Sequence, residues 1–183
     1  MKKLLTFFIF LFSTVSYAQE IEWQRTIGGQ NGDYCISIIQ TSDGGYMLGG
    51  HSESSISGDK TENGIGYADY WILKVDFAGN IEWQNTIGGP DVDNLYSIIQ
   101  TVDGGYLLGG SSDSDWGGDK FEYSNGEEDF WIVKTDSVGN IQWQNTIGGL
   151  SYDILTSLIQ TPDGGYLLGG SSYSDISGDK SEN

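Results

Sequence analysis

From Ile21 onward the chain alternates between short runs rich in Val, Ile, Leu, Tyr and Trp and short polar breaks of Gly, Asp and Asn. β-branched and aromatic runs bounded by turn formers predict strands. No stretch after the first eighteen residues carries the three-to-four-residue apolar spacing of an amphipathic helix. The pattern repeats. Residues 21–80 and 81–140 align without a gap and agree at 35 of 60 positions, and a third copy runs from Ile141 to Asn183. In the second copy four strands are expected, at Tyr96–Thr101, Gly105–Ser111, Asp129–Asp136 and Ile141–Gly148.

Two connections are short enough to dictate hairpins. Asp103-Gly104-Gly105 joins the first expected pair and Ser137-Val138-Gly139-Asn140 joins the third strand to the fourth. Glycine can take the positive φ such turns need. Asp43-Gly44-Gly45, Asp163-Gly164-Gly165 and Gly79-Asn80 hold the same repeat positions, so these glycines serve backbone geometry and not a phosphate loop. A four-stranded antiparallel sheet of this size buries one face only by stacking on another. Radial stacking gives the blades of a β-propeller, typically roughly 4 to 8 of them.

The fold class expected is therefore all-β, with two and a half to three antiparallel blades of an incomplete propeller ring. A linear β-solenoid is the runner-up, less suited because the two hairpins dictate a meander. Trp23, Trp83 and Trp143, Trp71 and Trp131, Tyr46, Tyr106 and Tyr166, and Ile39, Ile99 and Ile159 recur at fixed repeat positions and are expected to form the core between blades. Ile21–Gly29 reads as a fourth-strand sequence placed ahead of the first full set, as when a ring is closed by the first strand of the chain. The third copy lacks its third and fourth strands, so the sequence reads as the start of a longer protein, a truncated product, or a chain that self-associates.

The run Asp103-Gly-Gly-Tyr-Leu-Leu-Gly-Gly110, followed by Asp129-Phe-Trp-Ile-Val-Lys-Thr-Asp-Ser-Val-Gly-Asn-Ile-Gln-Trp-Gln-Asn-Thr-Ile-Gly-Gly149, resembles the propeller-type repeats of secreted and cell-surface proteins of Bacteroidota-like bacteria. The resemblance implies a multi-repeat exported protein, often one sent out by type IX secretion, and no shared catalytic motif.

The first eighteen residues fit export. Lys2 and Lys3 precede an apolar stretch, Leu4–Phe12, too short to span a bilayer, and Ser16-Tyr17-Ala18 forms a small-residue cleavage site before Gln19. No cysteine lies there to carry a lipid, so the mature chain is expected to be secreted or at the cell surface, with no membrane span. The one thiol, Cys35, has no partner for a disulfide.

Removing the leader leaves 6 basic and 26 acidic residues, a net charge of −20. Such a surface repels nucleic acid and anionic lipid, whose binding requires neutralised phosphates. Extracellular glycans or proteins are the expected partners. Eighteen of the acids fall in the segments that differ between copies, chiefly Ser52–Asp69 and Ser112–Asp129, with Gln30–Asp33 and Pro90–Asn94. In an up-and-down sheet these segments share one rim and the tight turns share the other. Loops on a rigid scaffold are where binding usually resides.

Two site candidates follow. Asp113, Asp115, Asp119 and Glu122 are spaced like the start of a Ca2+ loop, although Gly117 and Ser124 stand where such a loop carries Asp or Asn and Glu. Trp116, Phe121 and Tyr123 occur only in the second copy, and aromatic faces beside carboxylates suit sugar rings. A catalytic site is not expected; the alternative is a glycan-degrading extracellular protein whose active residues lie outside this sequence. His51 has no nucleophile motif beside it, Cys35 corresponds to Leu95 and Leu155 and reads as a core hydrophobe, and Glu127 and Glu128 are adjacent on an extended strand and point oppositely.

Overall fold

The computed structural model describes residues 20–182; the expected leader and its cleavage site lie outside the described residues. The described chain holds ten strands and no helix. They are β1 (Asp33–Gln40), β2 (Tyr46–Ser52), β3 (Asp69–Val75), β4 (Ile81–Ile87), β5 (Asp93–Gln100), β6 (Tyr106–Ser112), β7 (Asp129–Thr135), β8 (Ile141–Ile147), β9 (Asp153–Gln160) and β10 (Tyr166–Ser172). Hydrogen bonding groups them into three antiparallel sheets, ordered β1-β2-β3-β4, β5-β6-β7-β8 and β9-β10. Neighbours in the chain are neighbours in each sheet, which is the meander that the two hairpins require. No described helix is long and apolar enough to cross a membrane.

Gly44, Gly104 and Gly164 take φ of 85–89° in the β1–β2-type turns, and Gly79 and Gly139 take 80° and 89° in the β3–β4-type turns. The aspartate ahead of each first turn locks it. Thr101 Oγ1 donates to Asp103 Oδ1 (2.5 Å), Gly105 N donates to the same oxygen (3.1 Å), and Lys134 Nζ pairs with Asp103 Oδ2 at 3.0 Å. With the Thr101 hydroxyl first and Lys134 second, the Asp103 carboxyl is held down at about 2.

The first strand of each unit starts three residues before its apolar run, at Asp93 and not Tyr96. Asp93 N donates to Ala68 O (2.7 Å) and Asp93 faces Ser112, so the polar residues 93–95 are already in the ladder. A bulge between Leu95 and Ser97 marks this extension and recurs between Cys35 and Ser37. It lets the strand twist while keeping its apolar side inward.

The sheets stack face to face over two apolar clusters. Met47, Tyr70, Ile72 and Ile87 of the first sheet meet Leu95, Ile98, Tyr106, Leu108, Trp131 and Val133 of the second. Leu107 and Ile132 of the second then meet Leu155 and Leu158 of the third. Trp71 and Trp131 are buried as expected. Trp23 and Trp143 are not, and Trp83 is half-buried. This series lies on the outermost strand position, where one ring face covers the neighbouring glycine turn and edge-packs a tyrosine while the other meets solvent. Trp83 touches the turn at Gly139 and sits 6.1 Å from Tyr106, as Trp23 does at Gly79 and 6.4 Å from Tyr46.

Two expectations need correction. Ile21–Gly29 forms no strand, because no described strand lies beside it to pair with. Its side chains nonetheless dock as a fourth strand does: Arg25 Nη1 donates to Gly79 O (3.0 Å), just as Asn85 Nδ2 donates to Gly139 O (2.9 Å). Cys35 is exposed and not in the core. Its position is covered only where another sheet precedes, as it does for Leu95 and Leu155.

Candidate functional site

The long β2–β3-type loops and the connections entering β5 and β9 gather on one rim. Tyr67 N donates to Asp91 O (2.9 Å) and Asp153 N to Glu128 O (2.6 Å), so each long loop is zipped to the entry of the following sheet. Most carboxylates here act inside this rim. Asp93 Oδ2 accepts from Gly89 N (2.6 Å) and Ser114 Oγ (3.2 Å), and Asp153 repeats the arrangement with Gly149 N (2.7 Å) and Ser174 Oγ (2.8 Å). Asp69 accepts from Ile65 N (2.8 Å), and Asp129 from Asn125 N (2.6 Å). Asp69, Asp93, Asp129 and Asp153 are all buried.

Burying carboxylates without compensation is costly, and these are compensated in two ways. Backbone N–H groups point at them, and a buried lysine sits among them. Lys120 Nζ donates to Ser114 O (2.6 Å), and Lys60 Nζ donates to Thr86 Oγ1 (2.7 Å) while lying 5.1 Å over the Trp71 ring. Burial pushes both ammonium groups below their ordinary values, and nearby aspartates, Asp93 and Asp129 for Lys120, push back. Burial likewise raises Asp93 to about 6, partly offset by the Ser112 hydroxyl and Gly89 N–H.

Three of the four calcium-loop candidates accept from backbone N–H groups outside their own loop. Asp113 Oδ1 accepts from Val92 N (2.7 Å), Asp119 Oδ2 from Gly88 N (3.4 Å) and Glu122 Oε2 from Thr146 N (2.6 Å). Asp115 lies near Lys120 and tends to keep it charged. Among the described residues no three His, Cys, Asp or Glu side chains are placed to hold a metal ion. Asp119 and Glu122 have counterparts in Asp59 and Glu62, and Glu62 Oε2 makes the same 2.6 Å contact with Thr86 N.

Trp116, Phe121 and Tyr123 are all exposed. Phe121 lines an open cleft of about 630 Å3 with Trp143, Asp119, Glu122 and the amides of Asn85, Asn140, Gln142 and Gln144, whereas Trp116 and Tyr123 lie outside that lining. Gln144 fixes the cleft floor, since its Oε1 accepts from Phe121 N (3.1 Å) and Trp131 Nε1 (3.1 Å) and its Nε2 donates to Asp119 O (2.6 Å). Trp143 was singled out in the sequence only as a core residue. The repeat hides its second face because every copy carries the same tryptophan, while only the second copy sets an aromatic ring, Phe121, beside it.

The singletons carry little chemistry. His51 stacks on Tyr34 at 4.8 Å, and burial lowers its imidazole. Glu128 accepts from Ser111 Oγ (2.5 Å) while Glu127 lies near Tyr152 and raises its phenol, so the adjacent pair is split between two neighbours.

No family model matches the chain. It is similar to Regulatory protein FlaEY of Caulobacter vibrioides, 27% identical over 164 residues, a match covering 85% of this chain. The chain spans 17% of that protein's length.

Proposed function

We propose that this chain is an exported, non-enzymatic module of β-propeller type whose long-loop rim binds a partner outside the cytoplasm. The observation that carries this reading is a division of labour on the rim. Side chains that recur in every copy, such as Asp93, Asp119, Lys120 and Glu122, are spent on backbone and loop contacts, and the side chains particular to one copy, Trp116, Phe121 and Tyr123, are left exposed. A scaffold that fixes its loops from within and varies its outward residues suits recognition. The propeller arrangement is favoured over a solenoid by the meander of each sheet and by face-to-face stacking of successive four-stranded sheets. The likeness to a short stretch of a much longer protein fits a module that recurs within larger chains.

A neutral or cationic glycan is the ligand class we favour. The cleft sets Phe121 and Trp143 among four amides and two carboxylates, and ring faces plus polar edges match the two sides of a sugar ring. Incubation with insoluble and soluble polysaccharides tests this directly. Retention of a polysaccharide without release of reducing ends, weakened about tenfold or more by Phe121→Ala, is the expected result. Release of reducing ends would retire the non-enzymatic reading, and retention indifferent to Phe121→Ala would retire the cleft.

A further inference from the structure

The cleft between the first and second sheets has a counterpart one repeat earlier, where Ile21–Gly29 docks against the first sheet, and the two share a hydrogen-bonded framework. In the earlier position Thr61 N donates to Gln84 Oε1 (3.2 Å), Gln84 Nε2 donates to Asp59 O (2.8 Å) and Thr86 N donates to Glu62 Oε2 (2.6 Å). In the cleft Phe121 N donates to Gln144 Oε1 (3.1 Å), Gln144 Nε2 to Asp119 O (2.6 Å) and Thr146 N to Glu122 Oε2 (2.6 Å). Three lining positions differ: Arg25, Thr61 and Glu82 stand where the cleft has Asn85, Phe121 and Gln142.

The earlier position therefore holds a cation of the chain's own. Arg25 reaches the carbonyl of Gly79 as Asn85 reaches that of Gly139. Asn85 is neutral and shorter, so the cleft keeps the acids and loses the cation. Its lining carries the carboxylates of Asp119 and Glu122 and, among the described residues, no Lys, Arg or His.

Hydrogen bonding identifies the atoms left over. Asn85 Nδ2 donates to Gly139 O, Asn140 Nδ2 donates to Asp136 Oδ2, and Gln142 Oε1 accepts from Lys134 Nζ. A carbonyl or carboxylate only accepts and an ammonium only donates, so these partners fix which way each amide faces. Asp119 Oδ2 and Glu122 Oε2 are taken by Gly88 N and Thr146 N. Among the described residues no donor reaches Asp119 Oδ1, Glu122 Oε1, Asn85 Oδ1 or Asn140 Oδ1. The cleft thus offers acceptors, two of them charged, beside the exposed ring of Phe121. That set matches a ligand with N–H and O–H donors, a positive charge and a flat apolar face.

We propose that the cleft takes an amino sugar in its protonated form, its ring face against Phe121 and its ammonium turned to Asp119 and Glu122. The ligand then supplies the cation that Arg25 supplies one repeat earlier. Arg25 has only Thr61 at the position of Phe121, so an arginine side chain needs no aromatic neighbour there; the added ring answers to a ring-shaped ligand, and a cation beside it is further favoured. The proposal rests on the glycan reading above and narrows it to the cationic class.

Calorimetric titration with soluble glucosamine oligomers, buffered so that the amines are protonated, and with the fully N-acetylated oligomers of the same length tests this, because acetylation removes the charge and leaves the sugar. Binding of the amine form tighter by about tenfold or more is expected. Asn85→Arg places in the cleft the residue of the earlier repeat and should weaken the amine form by about tenfold or more, with wild-type near-ultraviolet circular dichroism. Val102→Arg adds the same charge at a position 90% exposed and outside the lining, and should leave binding unchanged. Phe121→Ala, an exposed position, should weaken the amine form as well. Equal affinity for the two oligomers would overturn the amine and leave the glycan reading standing. A preference reduced alike by both arginine variants, or indifferent to Asn85→Arg and Phe121→Ala, would mean diffuse attraction to an acidic chain and would overturn the site. Binding of neither oligomer would overturn the proposal, and the glycan reading falls with it only if no other polysaccharide is retained.

Discussion

Asp93 places a carboxylate where water is excluded, and the consequence is a stability that depends on pH. Its folded-state value of about 6 lies above the ordinary aspartate value of about 3.9. Below pH about 4 both folded and unfolded chains hold the proton, and the group imposes no charge-burial penalty. As pH rises from about 4 to about 6 the unfolded chain ionises first, so the folded state loses stability through that window and bears the whole penalty above it, on the order of 3 kcal/mol. Asp93→Asn has no proton to lose. Urea unfolding of the two proteins at several pH values should therefore show the variant gaining on the wild type by that order between pH 4 and 7, and a difference that stays constant with pH would mean Asp93 is not titrating in the fold. The same comparison isolates Asp93 from Asp43 and Asp103, whose carboxyls are held low by Thr41 or Thr101 and by a lysine and shift stability the opposite way.

At the level of the element, two glycines of one sheet are needed for different reasons and should respond differently to the same change. Gly104 sits at φ 85° in the β5–β6 turn with no atom within 4 Å of a prospective Cβ, so Gly104→Ala meets only the backbone penalty of the left-handed region, about 1–2 kcal/mol. Gly110, within β6, needs no unusual angle, but a Cβ there would lie 1.9 Å from Asn94 O, across the bulged strand. Gly110→Ala forces β5 and β6 apart and should cost more than Gly104→Ala in denaturant midpoint; the reverse order would place the strain in the turn. The contrast marks what the sequence could disclose. Asp-Gly-Gly between apolar runs is a local signal, and it located the hairpins and the strand order. Gly109 and Gly110 answer to residues of other strands, Leu158 and Asn94, and nothing in their immediate neighbours announces that. The rim is similar: Asp113, Asp119 and Glu122 are close in the sequence, and their backbone partners Val92, Gly88 and Thr146 come from segments that only the fold brings near. Trp116, Phe121 and Tyr123 were recognisable as symmetry breakers because the copies could be compared, whereas their separation into cleft and non-cleft residues depends on how the loop folds back.

For the whole molecule, the net charge of −18 opposes compaction. Exposed acids such as Asp115 and Asp175 repel one another more in the folded state than in the expanded chain, and salt screens that repulsion as the Debye length falls from about 10 Å at 0.1 M to about 3 Å at 1 M. Urea unfolding midpoints should therefore rise with sodium chloride, and neutralising Asp115 and Asp175 together should flatten the slope while leaving the high-salt midpoint in place. A midpoint that falls with salt would instead make ion pairs such as that of Lys74 with Asp43 and Glu82 the larger electrostatic contribution.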